Sequence, residues 1–553
     1  MKSILLSRWL HCVVAAMLLV PLGFGIHHLQ PVSPLCEITS GSARPGFFAD
    51  DGKRLVLLER MRLEGGGELD PRVTPYHLGP LQVFDVRTGT LLESHFKADE
   101  KLNDYQILPG GRLFAAALNS LLLPDGSRRR TLVCLDVIKG KISEMTSVEP
   151  DASFDLSFSP RGTYLLRECA GGGDDRDRVK TLHVFECATG RLLGRLTDVV
   201  AWHWDLIDEN LLIQTPIRAG AHRLEVWRPL ERKTIATHEN VGAESVLSAD
   251  GSTLLLWGTA TTHRIIWNVK MQRVQGEFHN DGGVVIGGET LSPDGRWSAT
   301  SVVTWDGPQI ELRDLQDVKR PPRVIEKLRA GEFSPDGRFL ACESDRTSIS
   351  IVNSADGKVI WRDAMELASC VFSKDGQTAI VMADVGPASS PSLELVCRDA
   401  ATGELRKRTV LSTRHAKGTT SLVQQTADRA LIRVPEAGRG DQGFLARLPW
   451  IGDHFADRRN DLTIVIDTRT GEELLCLHGL DTGTALLSED GEFLATHHRY
   501  DSGSVVRCWR VDAGKPIGFA VGIPAGLGGL FVLMRLAWRR GEKSSANGMD
   551  SPK

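Results

Sequence analysis

The sequence predicts an all-β fold: a β-propeller of about ten four-stranded units, with a transmembrane helix at each end. Three observations predict it. A turn motif recurs along the chain, a second motif recurs in phase with it, and the two termini carry long uncharged apolar stretches.

The turn motif is clearest in Ser334-Pro335-Asp336-Gly337, which repeats Ser292-Pro293-Asp294-Gly295. Proline fixes φ at the first corner, aspartate can bond its own backbone, and glycine takes positive φ without steric cost. Short apolar runs flank the turn, as in Phe333 and Phe339-Leu340-Ala341, so each copy reads as a β-hairpin. The turn glycines are 52, 111, 162, 251, 295, 337, 376 and 491. Two intervals, of 89 and 115 residues, are each two periods long. Weaker copies fill them at Leu206–Asn210 and Gln425–Arg429.

The second motif is an apolar run, usually an acid, and often Thr-Gly. It occurs at 83–89, 134–140, 184–190, 226–232, 266–272, 312–318, 351–357, 397–403, 465–471 and 508–514. Ten copies in phase with ten turns define a unit of about 40–45 residues, the length of four short strands and their links. Such a unit cannot bury its own faces and must stack on its neighbours. Ten units exceed the usual four to eight blades. The alternatives are two packed propeller units or one large ring.

The segment SPDGR (334–338), followed by FLA and later by a VW(D/N)xxTG pattern, resembles the WD40 and WD40-like repeat of bacterial membrane-anchored propellers. The resemblance spans about residues 45–513 and implies a propeller fold. Trp227, Trp267 and Trp509 keep the ring of the Trp-Asp pair but lack the acid. The Gly-His pair that supports that family's polar tetrad is not evident.

The expected organisation is an N-terminal signal anchor or transmembrane helix (1–30), a propeller region (38–512), a C-terminal transmembrane helix (515–537) and a polar, disordered tail (538–553). Residues 9–26 form an apolar stretch behind Lys2 and Arg8 with no clear cleavage site, and residues 516–534 carry no charge. Basic residues before the first stretch and at Arg535–Lys543 after the second put both ends in the cytoplasm. The propeller is therefore expected outside the cytoplasm.

Sixty-six Lys and Arg against 70 Asp and Glu give a net charge of −4, with no basic stripe for nucleic acid. The ten cysteines show no CxxC or Cys/His metal spacing. Cys134, Cys397 and Cys508 fall at one place in three units and read as small buried hydrophobes. His497 and His498 are adjacent on a strand, so they face opposite ways and do not make a metal pair. His27-His28 lies at the membrane edge, and 171–177 reads as a solvated loop. Asn353–Trp361 resembles the tryptophan-docking repeat of quinoprotein dehydrogenases, but ordinary packing between units explains it.

No catalytic, cofactor or metal residues emerge, and no cofactor is expected. The apolar insertion at 443–455 either covers a propeller edge or presents a docking or membrane-touching surface, and on the second reading the candidate interaction surface is Phe444, Leu448, Trp450 and Phe455. The expected function is a non-catalytic scaffold for other proteins at a membrane, with no nucleic-acid partner. The rival is a quinoprotein-like or hydrolytic enzyme, which would gather carboxylates, histidines or a tryptophan face in the central channel.

Overall fold

The strands begin where the turn motif places them. In the computed structural model, residues 34–41, 43–60, 77–98, 100–122, 128–148, 154–170, 180–218, 220–258, 263–279, 284–344, 348–364, 366–385, 392–412, 421–426, 428–434, 462–478, 485–500 and 503–512 are described. All of their regular structure is β-strand in antiparallel pairs.

All eight turn glycines hold positive φ, between 66° and 83°. The serine that opens the turn does further work. Ser334 Oγ donates to Asp336 Oδ1 at 2.7 Å and accepts the Phe339 N–H at 3.0 Å. The same serine-to-backbone bond, five residues apart, recurs at Ser159, Ser248, Ser292, Ser373 and Ser488, at 2.8–3.0 Å. These serines are buried, so each bond satisfies a polar group removed from water. Burial pushes the Asp336 carboxyl up, but bonds from Ser334 and from the Arg338 N–H and guanidinium outweigh it and leave it below the ordinary aspartate value.

The second motif marks the junction of the third and fourth strands. Asp399 accepts the N–H groups of Ala401 and Thr402 at 3.0 and 2.9 Å, and Gly403, with φ 73°, bonds back to the Asp399 carbonyl. Asp467 repeats this with Arg469 and Thr470.

Hydrogen bonding groups the strands into consecutive units covering residues 43–95, 101–148, 154–199, 201–247, 233–279, 284–326, 329–364, 366–412 and 421–478. The first two join edge to edge where His77 and Leu78 pair Leu102 and Lys101. The fourth and fifth share the long strand Lys233–Leu247. The last unit has three strands of its own, Ala485–Leu487, Phe493–Tyr500 and Gly503–Arg510. Its fourth is Cys36–Gly41, from the other end of the chain, antiparallel to Gly503–Arg510.

Hydrophobic clusters join neighbouring units. Phe47, Val56 and Leu81 of the first unit meet Phe114 and Val133 of the second. Leu212 and Val226 of the fourth meet Leu256 and Trp267 of the fifth. Ile380 and Leu395 of the eighth meet Ile432 and Ile464 of the ninth. Ala495 and Val506 of the last unit pack against Phe48 and Leu55 of the first. The described strands from Leu35 to Val511 make one compact unit.

Cys134, Cys397 and Cys508 are buried. The candidate surface residues Phe444, Leu448, Trp450 and Phe455 lie outside the described residues, as do 171–177, His27-His28 and both apolar terminal segments. Among the described residues no helix is long and apolar enough to cross a membrane.

Candidate functional site on the inner strands

The first strands of the fourth to sixth units line a shared hollow. A cavity of about 630 Å³ opens along the third to sixth units, lined by Glu168 and Lys180, by Trp202 and His203, by Glu244 and Ser245, and by Val285 and Glu289. A second, of about 500 Å³, is lined by Phe48, Gly110, Lys374, Thr426 and Glu489, drawn from five units.

Period two explains the larger site. Along Ala201–Trp204, Trp202 and Trp204 share one face and His203 takes the other. Trp204 packs into the interface with the third unit, and Trp202 Nε1 donates to Glu168 Oε2 of that unit at 2.9 Å. Lys180 Nζ meets the other oxygen of Glu168 at 2.7 Å. His203 turns toward the fifth unit, where its Nε2 lies 2.7 Å from Ser245 Oγ. Burial holds the His203 imidazole below the ordinary histidine value, so it is neutral at pH 7.

One step further round, Arg264 Nε donates to Glu289 Oε2 at 2.7 Å, and both side chains are fully buried. The guanidinium also reaches the His263 carbonyl at 3.1 Å and lies 4.7 Å from the centre of the Trp257 ring. The hollow thus gathers carboxylates, a histidine and tryptophans. Two of its three carboxylates, Glu168 and Glu289, are paired with cations of the same chain, Glu244 is exposed, and His203 bonds a hydroxyl. Among the described residues no group of histidine, cysteine and carboxylate side chains could hold a metal ion.

His497 and His498 are buried on the second strand of the last unit. His498 Nε2 lies 3.0 Å from Thr496 Oγ1, which also accepts the Trp509 indole N–H at 2.7 Å. This buried Trp-Thr-His relay joins the second and third strands. The motif search missed it because its histidine comes from the strand and not from a Gly-His pair.

With the four-stranded units in sequence order, first strands inward and the last unit completed by the N-terminal strand, the architecture is decided. The fold is a WD40-like β-propeller. No protein family matches the sequence, and no curated protein matches it. Solved structures similar to this propeller include one described as the eukaryotic initiation factor, 12% identical, covering 79% of this chain and 93% of that one, TM-score 0.46. Another is the C-terminal WD40 domain of Sif2, 8% identical, covering 74% of this chain and 96% of that one, TM-score 0.35. A third is the Dos1 propeller, 13% identical, covering 63% and 92%, TM-score 0.33.

Trp361 of the seventh blade donates its indole N–H to the Ala400 carbonyl of the eighth at 3.3 Å. A Cβ on Gly403 would come within 2.7 Å of the Trp361 ring. The tryptophan is docked between blades, as packing alone requires. Of the described aromatics, Trp305 at the hairpin tip between Trp297–Thr304 and Gly307–Asp314 is fully exposed. Nothing in its local sequence distinguished it from the buried tryptophans.

Proposed function

We propose that the chain is a membrane-anchored propeller that binds other proteins outside the cytoplasm without catalysing a reaction, its ten blades closed in one ring. One observation carries this reading. Strand Cys36–Gly41 pairs antiparallel with Gly503–Arg510, and the Leu35 N–H reaches the Cys508 carbonyl at 2.7 Å. The residues that lead into the two apolar terminal stretches therefore neighbour each other at one sheet edge. Two spans with the orientation that Lys2, Arg8 and the Arg535–Lys543 cluster favour can both continue from that edge. The cluster that joins the last unit to the first supports a single ring, and the internal pairing of Glu168 and Glu289 supports a structural role for those two carboxylates.

Protease added to intact spheroplasts is expected to digest the propeller and spare a tag after Lys553. A protected propeller with a digested tag would reverse the orientation and overturn the reading.

A second reading has its own observation. His203, neutral and 2.7 Å from Ser245, is arranged as a general base beside a hydroxyl in the larger cavity. That pair is what a hydrolytic propeller would use. A fluorophosphonate probe is expected to leave Ser245 unlabelled if the scaffold reading holds. Labelling that disappears in both Ser245→Ala and His203→Gln would establish the hydrolase instead.

A further inference from the structure

We propose that Cys36 and Cys508 are a disulfide-forming pair that locks the closing strands of the propeller together covalently. The two residues are directly opposed in the register of Cys36–Gly41 with Gly503–Arg510. Directly opposed residues of antiparallel strands have Cα atoms about 4.5–5.5 Å apart, inside the range of about 4.4–6.8 Å that a disulfide spans. Both cysteines are free thiols here.

The two thiols already interact. The Cys508 S–H hydrogen-bonds the Cys36 sulfur, while the Cys36 S–H reaches the Val86 carbonyl at 3.2 Å. The bond from Cys508 outweighs burial and brings Cys36 below the ordinary cysteine value; the same bond, with burial, pushes Cys508 far up. Cys36 is half-buried on the fourth strand of its blade, whereas Cys508 is fully buried. The accessible and more acidic thiol therefore attacks first, and the buried one resolves.

The oxidant is a small-molecule disulfide such as glutathione disulfide. The Cys36 thiolate attacks one of its sulfurs, the S–S bond breaks, and the departing thiolate takes up a proton. Cys508 then gives up its proton and attacks the Cys36 sulfur of the mixed disulfide, expelling a second thiolate, which is protonated in turn. Two electrons pass from the cysteine pair to the small disulfide, which leaves as two thiols.

A comparison pair lies elsewhere. Cys134 and Cys187 also bond each other, between the second and third blades, but both are buried in a hydrophobic cluster. Their contact follows from packing between blades, with no strand register to set it. An oxidant from solvent should reach Cys36 before either.

The chemistry can be tested on the purified chain whatever its location. Formation of the bond in cells rests on the extracytoplasmic reading, since that side is the oxidising one. Full-length protein in detergent would be equilibrated with a mixture of oxidised and reduced glutathione, blocked with N-ethylmaleimide, digested and mapped by mass spectrometry. A peptide joining Cys36 to Cys508 is expected to form before any other link. The thermal midpoint is expected to rise by about 5 °C and to fall back on reduction with dithiothreitol. Cys36→Ser should abolish the rise, and Cys134→Ser should retain it. No link, a Cys134–Cys187 link forming first, or a rise that persists in Cys36→Ser would overturn the proposal. If Cys36→Ser does not fold, the mapped link and the reversible rise in the wild type decide the matter. A bond that forms in the purified protein but is missing after blocking in intact cells would count against the location and leave the site standing.

Discussion

Replacing Glu289 with alanine is expected to destabilise the propeller by about 3–5 kcal/mol, because it removes the carboxylate that a fully buried guanidinium bonds. Arg264 and Glu289 belong to the fifth and sixth blades and are both fully buried. Arg264 cannot move out to water, since its charged end is held between the Trp257 ring and the His263 carbonyl. The urea midpoint of Glu289→Ala should drop sharply. Replacing both residues by apolar ones, Arg264→Met with Glu289→Leu, should recover much of the loss, because the buried cation is removed together with its carboxylate. A single variant with a wild-type midpoint would mean that the pair is not buried as described.

Gly111→Ala is expected to cost about 3 kcal/mol from backbone strain and overpacking together. Gly111 has φ 66°, and a Cβ there would sit 1.9 Å from the Phe48 carbonyl oxygen, a backbone atom that cannot swing aside. Gly220 is the control. It has φ 72°, but a Cβ would meet nothing within 4 Å, so only the conformational cost of about 1–2 kcal/mol applies. Equal losses at the two positions would show that the contact between the first and second blades contributes nothing.

What could be read in advance was whatever the chain decides locally. Ser334, Asp336 and Gly337 make their turn within the short stretch from Ser334 to Phe339, so the motif alone placed the hairpin. The Asp-x-x-Thr-Gly corner is equally self-contained. The Arg264–Glu289 and His203–Ser245 contacts were not legible. Each depends on which face a strand residue takes and on how two separately folded blades align. The strand Cys36–Gly41 escaped a search for repeats because it has no turn of its own. A signal was present all the same. The tenth copy of the second motif ends at Gly514, and the uncharged apolar stretch begins at Pro516, which leaves no room for a fourth strand.

That borrowed strand sets a schedule for the chain's birth. A ribosome adding about 5–20 residues per second needs roughly 20 to 90 seconds to pass from the strand Cys36–Gly41 to its partner Gly503–Arg510. Cys36–Gly41 emerges near the start of that interval and its partner Gly503–Arg510 near the end. Throughout, the nascent protein carries an open strand edge at its front and a growing stack of blades behind it, the kind of surface that pairs with other chains. A chaperone that holds the amino-terminal segment until translation finishes would protect the interval when the molecule is most prone to aggregate.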